Sequence, residues 1–216
     1  GEREIAQIGK IAPNVEVVLV PNGQDIRPTA GEVLDTTRAG RPVFGYVGRL
    51  HARQKGLDIL LAGFSVYRRS GGKGTLWVVG DGADRSRLGR LARRLGIDEF
   101  ISFLGARYGE EKDRLIESLD VLVQTSRWEG LPMSCLEAAA AGKPLLISKE
   151  TNLDRHVERW GSGWVLPSND SQQIALAMSQ CEALFASGSL GRIGAKARQM
   201  IGSDFGWEAS ARKLGN

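Results

Sequence analysis

Histidine and cysteine are scarce in this sequence, two of each among 216 residues, and the scarcity closes off several chemistries. His51 and His156 stand far apart, outside any His-Glu-x-x-His run or metal-ligand spacing, so a metal hydrolase is poorly supported. Cys135 and Cys181 are also widely separated. They point to a reducing compartment, and Cys135 reads as a small buried side chain. A Gly-x-Ser-x-Gly elbow is missing, which removes the usual serine-hydrolase arrangement. No apolar run is long enough to span a bilayer, and the opening residues do not read as a secretory leader. Internal repeats and low-complexity tracts are absent as well.

What is present is an ordinary globular balance, 42% hydrophobic and 25% charged residues. The length suits one large α/β domain, or a domain with an arm. A net charge of +4 favours anionic ligands or an acidic membrane surface, without indicating nucleic acid, which is not expected as a partner. From Arg41 onward, apolar runs at 42–47, 75–79, 100–104, 121–124, 144–147 and 163–166 alternate with helical periodicity. Leu57, Leu60, Leu61, Phe64 and Tyr67 form one helical stripe. Leu115, Ile116 and Leu119 mark another helix, and Ile174 to Phe185 carry a third stripe behind the candidate caps Asn169, Asp170 and Ser171. Such alternation predicts a doubly wound parallel sheet of Rossmann-like type, covered on both faces, with ligands at the carboxyl ends of the strands. One helix is distinctive: Arg85, Arg87, Arg90, Arg93 and Arg94 interleave with Leu88, Leu91 and Leu95, giving a basic face that suits either solvent or an anionic lipid surface.

The first forty residues break this rhythm. A helix over 5–10, a strand over 15–20 ending at Pro21-Asn22-Gly23, and a polar linker over 24–40 read as the tail of a preceding domain. The chain starts at Gly1 rather than methionine, which reads as a piece of a longer protein.

The loops after the strands carry the chemistry. After the first run, Gly48-Arg49-Leu50 and Lys55-Gly56 put a guanidinium fork and a mobile ammonium beside a strand end, both suited to phosphate oxygens. Gly80-Asp81-Gly82 follows the second run but lacks the third glycine of a dinucleotide fingerprint, so it also reads as a tight turn. Phe103-Leu104-Gly105-Ala106-Arg107 ends the third. After the fourth comes Glu129-Gly130-Leu131-Pro132, leading into an alanine-rich helix that contains Glu137. Pro132 sits at a favoured first-turn position, and the helix start offers amides and a dipole to an anion. Two carboxylates eight positions apart thus straddle a strand-loop-helix junction and can face one pocket.

Taken in order, these segments resemble the donor-binding half of the retaining glycosyltransferases of family 4, or glycosyltransferase group 1, which have the two-domain GT-B fold. Glu129 and Glu137 match that family's Glu-x7-Glu pattern, and the resemblance covers nearly the whole chain. It implies residues 1–40 as a remnant of the acceptor domain plus linker, and 41–216 as the nucleotide-sugar domain. Phe205-Gly206-Trp207-Glu208 would open the closing helix. It further implies catalytic roles for Arg49 and Lys55, which would neutralise the donor diphosphate, and for Glu129, which would touch the transferred sugar. Gly48, Gly80, Gly105, Ala106, Arg107, Gly130, Leu131 and Glu137 would bind the donor, with Glu137 on the ribose hydroxyls and the backbone of 105–107 on the base. No cofactor and no metal are implied. The acceptor, a sugar or a lipid-linked glycan, would bind through a domain absent from these residues, so the chain alone is expected to transfer sugar poorly or not at all. A cytoplasmic setting is implied, with peripheral contact at the inner membrane face as an option. A sugar-nucleotide 2-epimerase, a non-catalytic nucleotide-sugar-binding protein and a nicotinamide-dependent dehydrogenase are the competing readings.

Overall fold

The structure, a computed structural model, describes residues 40–207 continuously, together with 8, 10–12 and 23–25. Most of the expected helix over 5–10, all of the strand over 15–20 and most of the linker lie outside the described residues. Within them, six strands form one sheet: β1 Val43–Val47, β2 Thr75–Val79, β3 Ile101–Gly105, β4 Val121–Gln124, β5 Leu145–Ser148 and β6 Gly163–Leu166. Every pairing is parallel and the order is β3-β2-β1-β4-β5-β6, the doubly wound arrangement that the alternation predicts.

The strands lie within a residue of the apolar runs because both faces of the sheet are covered, which demands continuous apolar sequence rather than alternation. Side chains still divide by face. Phe44, Tyr46, Val121, Val123 and Leu146 join one core, and Val43, Val47, Leu122, Leu145 and Ile147 join the other. The first core is roofed by α2 (Leu57–Arg69), α3 (Arg85–Leu95) and α7 (Ser171–Ala186), the second by α4 (Gly109–Ser118), α5 (Met133–Ala140), α6 (Asp154–Trp160) and α8 (Leu190–Met200). A single turn, α1 (Ala52–Lys55), precedes α2. Of the candidate caps on α7, Asp170 does the capping: its Oδ1 accepts from the amides of Gln172 and Gln173 at 2.9 and 3.0 Å. Asn169 instead donates to the carbonyl of Thr125 at 2.9 Å.

Two helices go beyond the apolar stripes read in the sequence. The helix α6 buries only Val157 along its length, so its sequence shows little periodicity and tertiary packing makes it helical. In α8 the apolar positions Leu190, Ile193, Ala197 and Met200 do fall at helical spacing, with Gly191 and Gly194 between them diluting the stripe. After α8, the segment Ile201–Phe205 widens into a π turn. There Asp204 Oδ2 accepts from Trp160 Nε1 at 3.0 Å and meets His156 Nδ1 at 2.6 Å. His156 is therefore a tether between α6 and the chain's end rather than a ligand. The main core is anchored by aromatic contacts, Phe44 edge-on to Tyr67 at 5.5 Å and Phe64 tilted against Tyr67 at 5.8 Å.

Phe64→Ala should cost about 3–5 kcal/mol by opening a cavity under α2. Leu176→Ala, on the exposed side of α7, should change stability by less than about 0.5 kcal/mol. Urea midpoints of the two variants would check the contrast.

Candidate active site

Strand order reverses direction between β1 and β4. The helix after β1 covers one face of the sheet and the helix after β4 covers the other, so neither closes the gap above these two strand ends. A cleft of about 580 Å³ opens there, walled by the loops after β1, β2, β3 and β4 and by the first turns of α4 and α5.

The loop after β1 is fixed from below and from the side. Tyr46, buried in the core, donates its hydroxyl to the Arg49 carbonyl at 2.8 Å. His51 accepts the Gln54 amide at 3.2 Å and so caps α1. Leu50 N donates to Asp81 O at 2.9 Å, and Ala52 N to Asp84 Oδ2 at 2.8 Å, which lash this loop to the one after β2. Gly80 makes that contact possible. Its φ is 140°, and a Cβ there would stand 1.8 Å from the Gly48 carbonyl oxygen. The Gly-Asp-Gly sequence thus serves as a tight turn between two closely spaced strand exits.

The loop after β4 is held against the β1 loop by an extended seam. Arg127 forks onto Asp58 with two bonds of 2.9 Å and also donates to the carbonyls of Ala52 and Arg53. Its amide reaches Gln54 O at 2.8 Å. Gly56, at φ 63°, lies so close to Thr125 that a Cβ would sit 1.9 Å from the Thr125 oxygen. On the other flank, Ser148 Oγ donates to Ser126 O at 2.6 Å. Asn152, at φ 59°, donates to the carbonyls of Glu129 and Gly130 at 2.7 and 3.0 Å.

This seam delivers Lys55 to Glu129. Glu129 Oε1 accepts from Lys55 Nζ, from Gln124 Nε2 at 3.1 Å and from Ser126 Oγ at 2.9 Å. The two charged side chains are only 13% and 8% exposed. Glu129 Oε2 makes no hydrogen bond with any described residue. Across the cleft, Glu137 Oε1 pairs with Lys112 Nζ at 2.7 Å. Arg49 is exposed, and its guanidinium has no hydrogen bond or ion pair with a described residue, whereas Arg107 is paired with Glu111 at 3.2 Å. Four cations and three carboxylates line the space, so its balance suits an anion. Pro132 stands at the N-cap of α5 rather than inside its first turn, and no side chain caps that helix end. Burial, with the Glu129 charge adding to it, pushes the Tyr46 hydroxyl and the Cys135 thiol far above their ordinary ranges.

Of the residues singled out from the sequence, Gly48, Arg49, Lys55, Gly80, Ala106, Arg107, Glu129, Leu131 and Glu137 line this one cleft. Gly105 and Gly130 lie just behind its wall, their carbonyls accepting from Gly80 N and Asn152 Nδ2. Lys112, Gln124, Tyr108 and Ser134 also line it and escaped the sequence reading. Gln124 had a signal, a polar residue closing an otherwise apolar strand. Lys112, inside Gly-Glu-Glu-Lys-Asp-Arg, stands in a charged run that sets no one residue apart. Both cysteines are buried, and Arg87, Arg90, Arg93 and Arg94 are exposed on α3. Among the described residues, no three His, Cys, Asp or Glu side chains are grouped to hold a metal ion, and no helix is long and apolar enough to cross a membrane.

Comparison with known proteins gives the family and the fold. Residues 35–199 match the family model described as glycosyl transferases group 1. The chain is 25% identical over 174 residues to the putative colanic acid biosynthesis glycosyltransferase WcaL of Salmonella typhimurium, covering 78% of this chain and 42% of that one. It is 30% identical over 198 residues to the glycogen synthase of Mycobacterium tuberculosis, covering 91% and 46%. It thus spans less than half the length of these relatives. Among solved structures, Anabaena Alr3699/HepE in complex with UDP and glucose superposes with a TM-score of 0.81 at 22% identity, over 99% of this chain and 59% of that one. The fold is that of GT-B glycosyltransferases.

Gly80→Ala should lower stability by about 2–4 kcal/mol, because strain at a positive φ adds to a backbone clash; a urea midpoint within error of the parent would refute the close approach. Raised thiol pKa values leave Cys135 and Cys181 as neutral thiols at pH 8. Ellman's reagent should therefore detect no thiol in the native protein and both after unfolding in guanidinium.

Proposed function

The chain belongs to the glycosyl transferases group 1 family, and we propose that its cleft grips a nucleoside diphosphate sugar as glycosyl donor. The observation that carries this reading is the grouping of Arg49, which pairs with no described residue, the Lys55–Glu129 pair and the Glu137 carboxylate around one cleft at the switch point of the sheet. Arg49 and Lys55 neutralise the diphosphate, whose charge grows as the bond from the anomeric carbon to the phosphate oxygen breaks. Lys55 comes to this task already desolvated and fixed by Glu129, so little reorganisation is needed when the phosphate arrives.

Glu129 keeps Oε2 for the hydroxyls of the transferred sugar. Glu137 takes the ribose hydroxyls, the backbone of 105–107 takes the base, and the amides of Gly130 and Leu131 at the start of α5 take phosphate or sugar oxygens. Transfer proceeds with retention at the anomeric carbon. The two glutamates are not an acid/base pair flanking a scissile bond as in a glycosidase, because Glu137 serves the nucleoside. No bound metal is assigned to the leaving group, and the chain's own cations carry that charge. The acceptor, a sugar or a lipid-linked glycan in polysaccharide synthesis at the cytoplasmic side of a membrane, binds through residues beyond 41–216. Names such as colanic acid biosynthesis glycosyltransferase among the relatives support polysaccharide synthesis, and the complex of the Anabaena protein with UDP makes a uridine donor the first to try.

Calorimetry tests the assignment. Arg49→Ala should weaken nucleoside diphosphates about tenfold and the matching monophosphates no more than about threefold. Equal losses for both classes would remove Arg49 from the diphosphate. The 216 residues by themselves should transfer sugar to a natural acceptor poorly or not at all, and robust turnover would overturn the placement of the acceptor site. Incubation with UDP-N-acetylglucosamine followed by NMR should show no epimer at C2, which separates this reading from an epimerase.

A further inference from the structure

We propose that Lys112 and Glu137 act as one unit that reads the ribose diol of the donor, with Lys112 as a specificity-determining residue. The inference rests on the donor reading of the cleft. Lys112 projects from α4 and Glu137 from α5, and both line the cleft wall. Their side chains are about three-quarters covered, 25% and 24% exposed, and a 2.7 Å bond joins Nζ to Oε1. That bond uses one oxygen of the carboxylate and one proton of the ammonium. Glu137 Oε2 has no hydrogen bond with a described residue, and two ammonium protons are left.

The pair therefore presents an acceptor and a donor side by side. A vicinal diol is the complement of that arrangement, since each hydroxyl donates once and accepts as well. One hydroxyl gives its proton to Oε2 while its neighbour receives one from Nζ. Lys112 contributes in two ways: it fixes the carboxylate rotamer, and it supplies the donor that a carboxylate lacks. A role as a further phosphate cation fits less well. Lys112 stands on α4 beside Glu137, whereas the cations assigned to the diphosphate, Arg49 and Lys55, come from the β1 side of the cleft. A purely structural tie between α4 and α5 would leave ribose discrimination untouched.

The test is calorimetric titration with UDP, GDP and ADP, then with the 2′,3′-dideoxy counterpart of whichever binds best. The parent protein should prefer the ribonucleotide by about tenfold or more, as expected for hydrogen bonds to charged groups. Lys112→Met should weaken the ribonucleotide at least about fivefold and the dideoxynucleotide less than about twofold, so that discrimination collapses. Lys112→Arg, which keeps a charged donor within reach, should restore much of it. Equal weakening of both ligands in Lys112→Met, or unchanged discrimination, would overturn the diol assignment while leaving the donor reading intact. Failure of the parent protein to bind any of the three diphosphates would overturn both.

Discussion

The seam between the β1 loop and the β4 loop is the constraint on which the site depends. Two strands adjacent in the sheet send their following helices to opposite faces, so their exit loops meet over a gap with nothing above them. Left alone, such loops would splay. The Arg127 fork on Asp58, the Gln54 carbonyl on the Arg127 amide and the contact of Gly56 with Thr125 hold them together. Arg127 and Asp58 are about a third exposed, so their electrostatic contribution to stability is modest. Their value lies in geometry: the seam places an ammonium from one loop on a carboxylate from the other.

The Lys55–Glu129 pair should not be counted as a stabilising feature in itself. Two charges this well covered lose most of their hydration, and mutual attraction with hydrogen bonds from Gln124 and Ser126 roughly offsets the loss. What the pair provides is a dry, oriented cation with its counter-ion held on one oxygen only. The same asymmetry recurs at Lys112–Glu137. In both cases the second carboxylate oxygen has no hydrogen bond with a described residue, so the cleft presents acceptors whose orientation is already fixed by the bonds on the first. Asn152 belongs to this economy. It is the only described residue other than glycine at positive φ, and its side chain steadies the carbonyls of Glu129 and Gly130.

Much of this could be read in the sequence, and the reasons are physical. Burial on both faces writes each strand as an apolar run, and the loops after those runs supply much of the cleft's lining. Gly48, Arg49, Lys55 and Glu129 are legible for that reason, and Glu137 through its eight-residue spacing from Glu129. Lys112 was not, because its neighbours Glu110, Glu111, Asp113 and Arg114 make a charged helix in which any one lysine looks solvated; only the turn of α4 brings it over the cleft. The tether of His156 and Trp160 to Asp204 was equally hidden, since its members lie on separate elements and meet only after α8 has crossed the sheet. The positive end of α5 was legible in kind, though Pro132 proved to be its cap and not its first residue.

The cleft is a one-sided site. Its floor and walls come from strand ends and loops, yet its rim shows two large apolar side chains to solvent, Tyr108 and Met133. Isolated exposed hydrophobics need no explanation, but these two line one opening. Glycosyl transfer is compromised wherever water can reach the anomeric carbon, because water is itself an acceptor. On the donor reading, a grip built only from these walls holds the sugar nucleotide while leaving that carbon open to water.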